Sequence, residues 1–232
     1  MSSLESATLR RSLLAAAITA TASVALGQSN SSKPAADQEE DVSPTEDLMR
    51  EHGLLNRVLL LYDDGLRKLE AKTEYDPAVL AGGADIIRRF IEEYHEKLEE
   101  DYLFPRFEKA GKLTDLVTVL RQQHKAGRRV TAEIQRLSSG KTLREAADRK
   151  ALADSLRSFV RMYRPHEARE DTVLFPVLHE LISRHEWDAL GDDFEKREHQ
   201  LFGKEGFEGM VDKVAGLEKK AGLYDLAQFT PR

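Results

Sequence analysis

The chain has no cysteine among its 232 residues. That removes disulfides, a thiolate nucleophile, Cys-ligated zinc, iron-sulfur clusters and an acyl-Cys lipid anchor together. Any bound metal must rest on histidine and carboxylate. Positive charge is in short supply too: 35 Lys and Arg stand against 41 Asp and Glu, a formal net charge of -6 with a pI near 5.7. No basic stripe runs along the chain, which argues against a nucleic-acid surface. No stretch alternates apolar and polar residues with the period of a strand. Nor does any apolar run reach the roughly 20 residues that span a bilayer.

The run that comes nearest, 13–26, follows Arg10 and Arg11 and ends in the small residues Ala25-Leu26-Gly27. This is the layout of a secretory signal, so residues 1–27 are read as an export peptide. The paired arginines with Ser12-Leu13-Leu14 resemble a twin-arginine signal, which suits a protein that folds around its metal before crossing. Residues 28–42 are Ser, Asn, Lys, Pro, Asp and Glu-rich, too polar to bury, and read as a flexible linker.

Ser43-Pro44-Thr45-Glu46 combines an N-cap, a proline at the first helical position and a capping-box glutamate, so the fold proper starts there. Leu48, His52, Leu55, Leu59, Tyr62, Leu66 and Leu69 then recur at steps of three and four, one face of a helix. Asp76-Pro77 restarts the chain by the same logic. Leu80, Ala84, Ile87 and Ile91 lead a second stripe into His95, Leu98, Glu99 and Tyr102, with an end expected by Gly111. The third stripe is Leu113, Val117, Leu120, His124, Gly127, Thr131 and Ile134. After a turn at Ser138-Ser139-Gly140, the fourth runs through Leu152, Leu156, Phe159, Tyr163, His166 and Glu170, continuing as Val173, Val177 and Leu181. Pro105 and Pro176 each remove a helical hydrogen bond and are expected to bend their helices.

Four long periodic helices joined by short polar turns predict an all-α, antiparallel four-helix bundle over 43–185. Residues 186–232 are read as a helical extension packed on it. They comprise a charged segment around Trp187, a fifth helical face of Phe207, Met210, Val211, Val214 and Leu217 ending at Gly222, and a tail anchored by Tyr224, Leu226 and Phe229.

The bundle is organised around a repeat. Residues 94–105, YHEKLEEDYLFP, return at 165–176 as PHEAREDTVLFP, so that His95, Glu96, Glu99 and Leu103-Phe104-Pro105 match His166, Glu167, Glu170 and Leu174-Phe175-Pro176. Residues four apart share a helix face, so His95 with Glu99, and His166 with Glu170, each present an imidazole and a carboxylate to one point. His52 and His124 each sit alone in an apolar seam. A lone histidine there is more often a hydrogen-bonded core residue than a ligand, and Glu99 belongs to the acidic run Glu99-Glu100-Asp101, which by itself reads as a solvated face. Four seam histidines on four helices, two with a carboxylate one turn on, change the balance, because burying them without a metal leaves unpaired polar groups. His52, His95, Glu99, His124, His166 and Glu170 are therefore read as metal ligands. Two ions with the two carboxylates between them are the natural product. Imidazole and carboxylate without thiolate favour non-haem iron, with manganese or zinc behind it.

With these residues in place the chain resembles the hemerythrin-like family, the HHE cation-binding domains. The likeness spans 45–182, through both HExxE segments with LFP after each, and takes His52 and His124 as the lone histidines. It implies a four-helix bundle with an oxo- or hydroxo-bridged di-iron centre that handles dioxygen, nitric oxide or peroxide. The oxygen carriers of the family place a second histidine four residues after that of helix three, where this chain has Arg128. They also use an aspartate five after the last histidine, and here both Glu170 and Asp171 are available. Six ligands thus stand where the carriers have seven, which counts against simple oxygen carriage. Glu96, Glu167, Asp171 or water are candidates to complete the shell, and His199 only if the extension folds over the metals. His179 and His185 are expected on the surface, and Tyr94, Tyr102 and Tyr163 in the core. The function expected is an exported di-iron protein that binds a diatomic ligand or peroxide, with no nucleic-acid partner and no permanent membrane span. The alternatives are a di-iron catalase or peroxidase, for which an open coordination position is suited, and a metal-free helical interaction module.

Overall fold

A computed structural model describes residues 42–138 and 145–231. The expected export peptide lies outside these residues, as does the expected linker up to residue 41. Among the described residues there is no strand, and no helix is long and apolar enough to cross a membrane. The unit that follows is Ser43–Arg232.

Helix α1, Pro44–Ala71, starts as its sequence dictates: the Ser43 hydroxyl accepts from the Glu46 amide at 3.3 Å, Pro44 occupies the first turn, and Glu46 and Asp47 face the positive end of the helix dipole. Helix α2 is continuous over 77–110 but not uniform. It opens at Pro77–Ile86 under an Asp76 cap, widens into π-helical turns at Ile87–His95 and Glu99–Leu103 with Glu96–Leu98 between them, and closes at Phe104–Ala110 on Gly111, whose φ of 63° is the left-handed conformation glycine tolerates. Helix α3 is Thr114–Leu137. Helix α4 covers 146–181, as Ala146–Arg169, a π turn at Glu170–Leu174, and Phe175–Leu181.

Helices α1 and α3 each pack against both α2 and α4. The cross-contacts run in opposite senses along neighbouring helices: α4 meets α1 through Arg157 with Glu70, Arg164 with Asp63 and Asp171 with His52. This is the antiparallel four-helix arrangement the stripes predict. Leu48, Leu55, Leu59 and Tyr62 of α1, and Val117, Leu120, Thr131 and Ile134 of α3, are all buried.

One stripe departs from the sequence reading. In α4 the apolar seam beyond Glu170 was expected through Val173, Val177 and Leu181, yet these are half-buried, and Leu174, Phe175 and Leu178 fill the core. The π turn supplies the reason. It spends one extra residue on the turn, so every later side chain is displaced by one position.

The segment around Trp187 is itself a helix, α5 (Arg184–Phe202), capped by the Ser183 hydroxyl. After a 3-10 turn at Gly203–Glu205 comes α6, Gly206–Ala221, closed by Gly222 at φ 75°. Trp187, Leu190, Phe194, Met210 and Val214 are buried, and α6 lies on α1 and α2. There Arg57 makes a two-pronged pair with Glu218 at 2.9 and 2.6 Å, and Leu217 closes on Gly82, where a β-carbon would stand 2.8 Å from it. Leu54, Val58 and Leu61, outside the first stripe, are buried as well, Val58 against α2, where a β-carbon on Gly83 would stand 3.2 Å from it. The tail is a correction: Tyr224, Leu226 and Phe229, expected as anchors, are 52%, 78% and 51% exposed. Apolar character alone does not place a side chain inside.

Candidate metal centre

The bundle brings all six predicted ligands together in its interior, none more than 4% exposed. Nε2 of His52 and Nε2 of His95 lie 3.0 Å apart. Glu99 lies between the two halves: its Oε1 is 3.8 Å from His95 Nε2 and its Oε2 is 3.4 Å from His124 Nε2. Glu170 does the same with one oxygen, Oε2 standing 3.5 Å from His52 Nε2 and 3.1 Å from His166 Nε2. Donor atoms of Glu99, His124, His166 and Glu170 fall within 4.8 Å of one another, as do those of His52, His95 and Glu99. These are two adjoining groups with the spacing of a cation site, and they share Glu99.

The ring nitrogens turned away from the centre are all engaged. Nδ1 of His52 meets Asp171 Oδ1 at 2.7 Å, that of His95 meets Glu51 Oε2 at 2.6 Å, that of His124 meets Glu100 Oε1 at 3.1 Å, and that of His166 meets Gln123 Oε1 at 2.9 Å. An oxygen acceptor at Nδ1 favours the tautomer with its proton there and leaves Nε2 facing the centre, the arrangement of a ligating imidazole. Burial, together with the imidazoles of His52, His124 and His166, holds His95 well below the ordinary histidine range and hence neutral. Burial and the neighbouring Glu170 push Glu99 well up.

The braces follow a rule that sequence reading missed. Glu51 and Gln123 immediately precede the lone histidines, and Glu100 and Asp171 immediately follow the shared carboxylates. Each reaches the histidine of the neighbouring helix, α1 to α2, α2 to α3, α3 to α4 and α4 back to α1. The signal lay in the repeat: the residue before His52 matches the residue before His124, and the residue after Glu99 matches the residue after Glu170.

The LFP segments have a structural task at the centre. In each, the phenylalanine amide donates five residues back to the carbonyl of the shared carboxylate residue, Phe104 to Glu99 and Phe175 to Glu170. The proline that follows has no amide to offer, and a widened turn accommodates its ring. The phenylalanine rings then lie on the lone histidines of the next helix: Phe104 on His124 at 5.5 Å and 26°, Phe175 on His52 at 5.6 Å and 13°. One residue thus ties a carboxylate to a histidine from a different helix.

The remaining candidates fall outside the centre. Asp171 serves His52 from behind. Glu96 accepts the Tyr163 hydroxyl at 2.7 Å and pairs with Arg128 at 2.7 Å, and the same guanidinium reaches Glu100 at 2.8 Å. Glu96, Glu100 and His124 form a third group with cation-site spacing, and Arg128 already supplies a positive charge there. Gly127 makes the Tyr163 contact possible, since a β-carbon would collide with the hydroxyl. Glu167 is buried, and that burial carries its carboxyl to about 7. His199 and His185 are exposed, and His179 is exposed while stacking on Trp187 at 4.4 Å. Tyr94 and Tyr163 are core residues and Tyr102 is half-buried.

The cluster fits a cation by its own deficits. Both oxygens of Glu99, both of Glu170 and Nε2 of His124 are fully buried without a hydrogen-bond partner of acceptable geometry among the described residues. A carboxylate left so costs several kcal/mol, and a cation between them removes the cost.

The sequence profile of the hemerythrin HHE cation binding domain matches residues 43–178. Proteins described as uncharacterized from Mycobacterium bovis and Mycobacterium tuberculosis are 45% identical over 231 residues, covering 96% of the chain and 91% of their own length. That likeness takes in the α5–α6 extension as well as the bundle. No solved structure matches the chain significantly.

Proposed function

Because the chain belongs to the hemerythrin HHE cation binding domain family, we propose that it holds two non-haem iron ions side by side and binds dioxygen, nitric oxide or peroxide at them. His52 and His95 would hold one ion, His124 and His166 the other, with Glu99 and Glu170 serving both. The observation that supports this best is the pair of buried carboxyl groups, without a hydrogen-bond partner among the described residues, set between four inward-facing Nε2 atoms. Nitrogen and oxygen donors without thiolate suit iron, and manganese or zinc fit the set less well. Iron supplies the redox chemistry that diatomic ligands and peroxide require. The chain's own residues orient and enclose: the Nδ1 partners fix the imidazole tautomers, Phe104 and Phe175 cover two of the rings, and Arg128 and Tyr163 hold Glu96 aside. The N-terminal arginine pair and apolar run support an exported protein, testable as loss of the first 27 or so residues from secreted material.

Metal analysis of freshly purified protein is the deciding experiment. Two irons per chain and the near-ultraviolet absorption of a ferric pair are expected. Protein without iron, manganese or zinc, with a melting temperature indifferent to chelators, would refute the reading and leave a metal-free bundle.

A second reading, disproportionation of peroxide to water and dioxygen, is favoured by Arg128 standing where the carriers have a histidine. Catalytic peroxide consumption lost in His124→Ala supports it. Stoichiometric consumption rejects it in favour of ligand binding.

A further inference from the structure

Arg121 of α3 is neither a candidate ligand nor a brace, yet its half-buried side chain meets the α2 segment that carries Glu99 at three points. Its Nη2 donates to the Glu100 carbonyl at 3.3 Å, its Nε and Nη2 donate to the Glu108 carboxylate at 2.9 and 3.4 Å, and its guanidinium carbon lies 5.0 Å from the centre of the Phe104 ring. The first contact has a cause in the sequence. In the turn Glu99–Leu103 the Phe104 amide donates to Glu99 and Pro105 has no amide, so the Glu100 carbonyl lacks the helical donor that residue 104 or 105 would bring. A donor from α3 takes that place. The second contact sets the orientation of the fork, since a two-pronged pair with a carboxylate aligns a guanidinium as it cannot align an ammonium. The third leads to the centre. A cation is attracted to an aromatic face, and the same Phe104 ring lies on His124 at 5.5 Å and 26°.

We infer that Arg121 is a positioning residue of the metal centre: it closes the turn behind Glu99 and keeps Phe104 on His124, so that a carboxylate from α2 and an imidazole from α3 hold one mutual geometry. The inference rests on the metal-binding reading above and adds to it the side chain that couples those two helices at the centre. Arg121 acts through the Glu100 carbonyl and the Phe104 ring. The other copy of the turn, Glu170–Leu174, forms with Met49 at the place that matches Arg121. Such a turn therefore folds without a guanidinium, and loss of Arg121 is expected to loosen the donors rather than unfold the bundle.

Cobalt(II) is the probe, added to the metal-free full-length protein against a competing chelator of known affinity. Its visible bands report ligand geometry, the competition reports affinity, and circular dichroism reports helix content. Arg121→Met keeps the length of the side chain and removes its donors and charge. It is expected to shift the cobalt bands and to weaken binding by roughly tenfold, the low end for residues that orient metal ligands, at wild-type helix content. In a Phe104→Leu background the same substitution is expected to cost less, because part of its route has already gone. A merely structural role would lower stability and leave the bands of the folded protein where they are. Arg121→Met with wild-type bands and affinity, or with an effect that multiplies fully with that of Phe104→Leu, overturns the inference and leaves the metal-binding reading standing. If Arg121→Met does not fold, Arg121→Lys, which keeps the charge and loses the fork, carries the same comparison: shifted bands support the inference and wild-type bands overturn it. A wild type that takes up no cobalt refutes the metal-binding reading, and the inference with it.

Discussion

Replacing Gly127 with alanine pits two effects against each other. Gly127 lies in the middle of α3, and alanine there improves helix propensity by about 1 kcal/mol. The added methyl, however, would run into the Tyr163 hydroxyl and stand 2.9 Å from its ring carbon Cζ. Tyr163 is 1% exposed and has no room to retreat, so overpacking costs about 1–3 kcal/mol. Displacing it also breaks its hydrogen bond to Glu96, a buried bond to a carboxylate worth about 1.5–3 kcal/mol. The clash wins, and a net destabilisation of about 2–4 kcal/mol is expected. Urea unfolding of the metal-free protein, followed by circular dichroism, measures it. Tyr163→Phe in the same background removes the colliding oxygen, so the two substitutions together should cost less than their sum by about 1 kcal/mol or more. A Gly127→Ala protein as stable as wild type, or additive behaviour in the pair, would refute the packing argument.

Glu99→Gln should move metal content and apoprotein stability in opposite directions. Metal content falls, while the metal-free protein gains on the order of 1–3 kcal/mol because a carboxyl whose ionisation is opposed by burial and by Glu170 has gone; parallel metal analysis and urea titration check both. Phe104→Leu and Phe175→Leu remove the rings that lie on His124 and His52. Each should lower metal retention on dialysis against chelator with helix content unchanged, and retention equal to wild type would sink the clamping role. Glu92 is 1% exposed, and burial carries its carboxyl from 4.5 to about 7 despite Thr131, Arg88 and Arg128. A raised folded-state value means its favourable contribution is complete below about 4.5 and lost as pH rises through about 7. The stability of Glu92→Gln relative to wild type should therefore rise between pH 5 and 8 by on the order of 1–3 kcal/mol, measured by urea unfolding at each pH.

The convergence of the six candidate ligands was legible in the chain because the repeat writes the HxxxE pair twice and because His52 and His124 keep step with leucine stripes. What surrounds them was less so. Counting by three and four assumes a uniform helix, and the π turn at Glu170–Leu174 breaks that assumption, which is why Val173 and Val177 stood in for Leu174 and Leu178. The braces were hidden for another reason: Glu51 and Gln123 neighbour one histidine in sequence and serve a different one in space, so they become visible only once helix order and sense are known. The α5 stripe is sparse, Trp187, Leu190 and Phe194, and it continues into the buried Glu198, whose carboxylate accepts the Phe207 amide at 2.6 Å. A charged residue at the end of an apolar face masks the pattern.

Each of the four bundle helices contributes a histidine braced from elsewhere and a brace for a histidine elsewhere. During synthesis His52 emerges early, yet the oxygen that fixes its tautomer belongs to Asp171, 119 residues later. No fragment that ends before Asp171, and no isolated helical hairpin, therefore possesses the full set of braced donors. Assembly of the centre thus waits for the fourth helix to be made, and a shorter ribosome-bound fragment lacks the arrangement that would grip a cation.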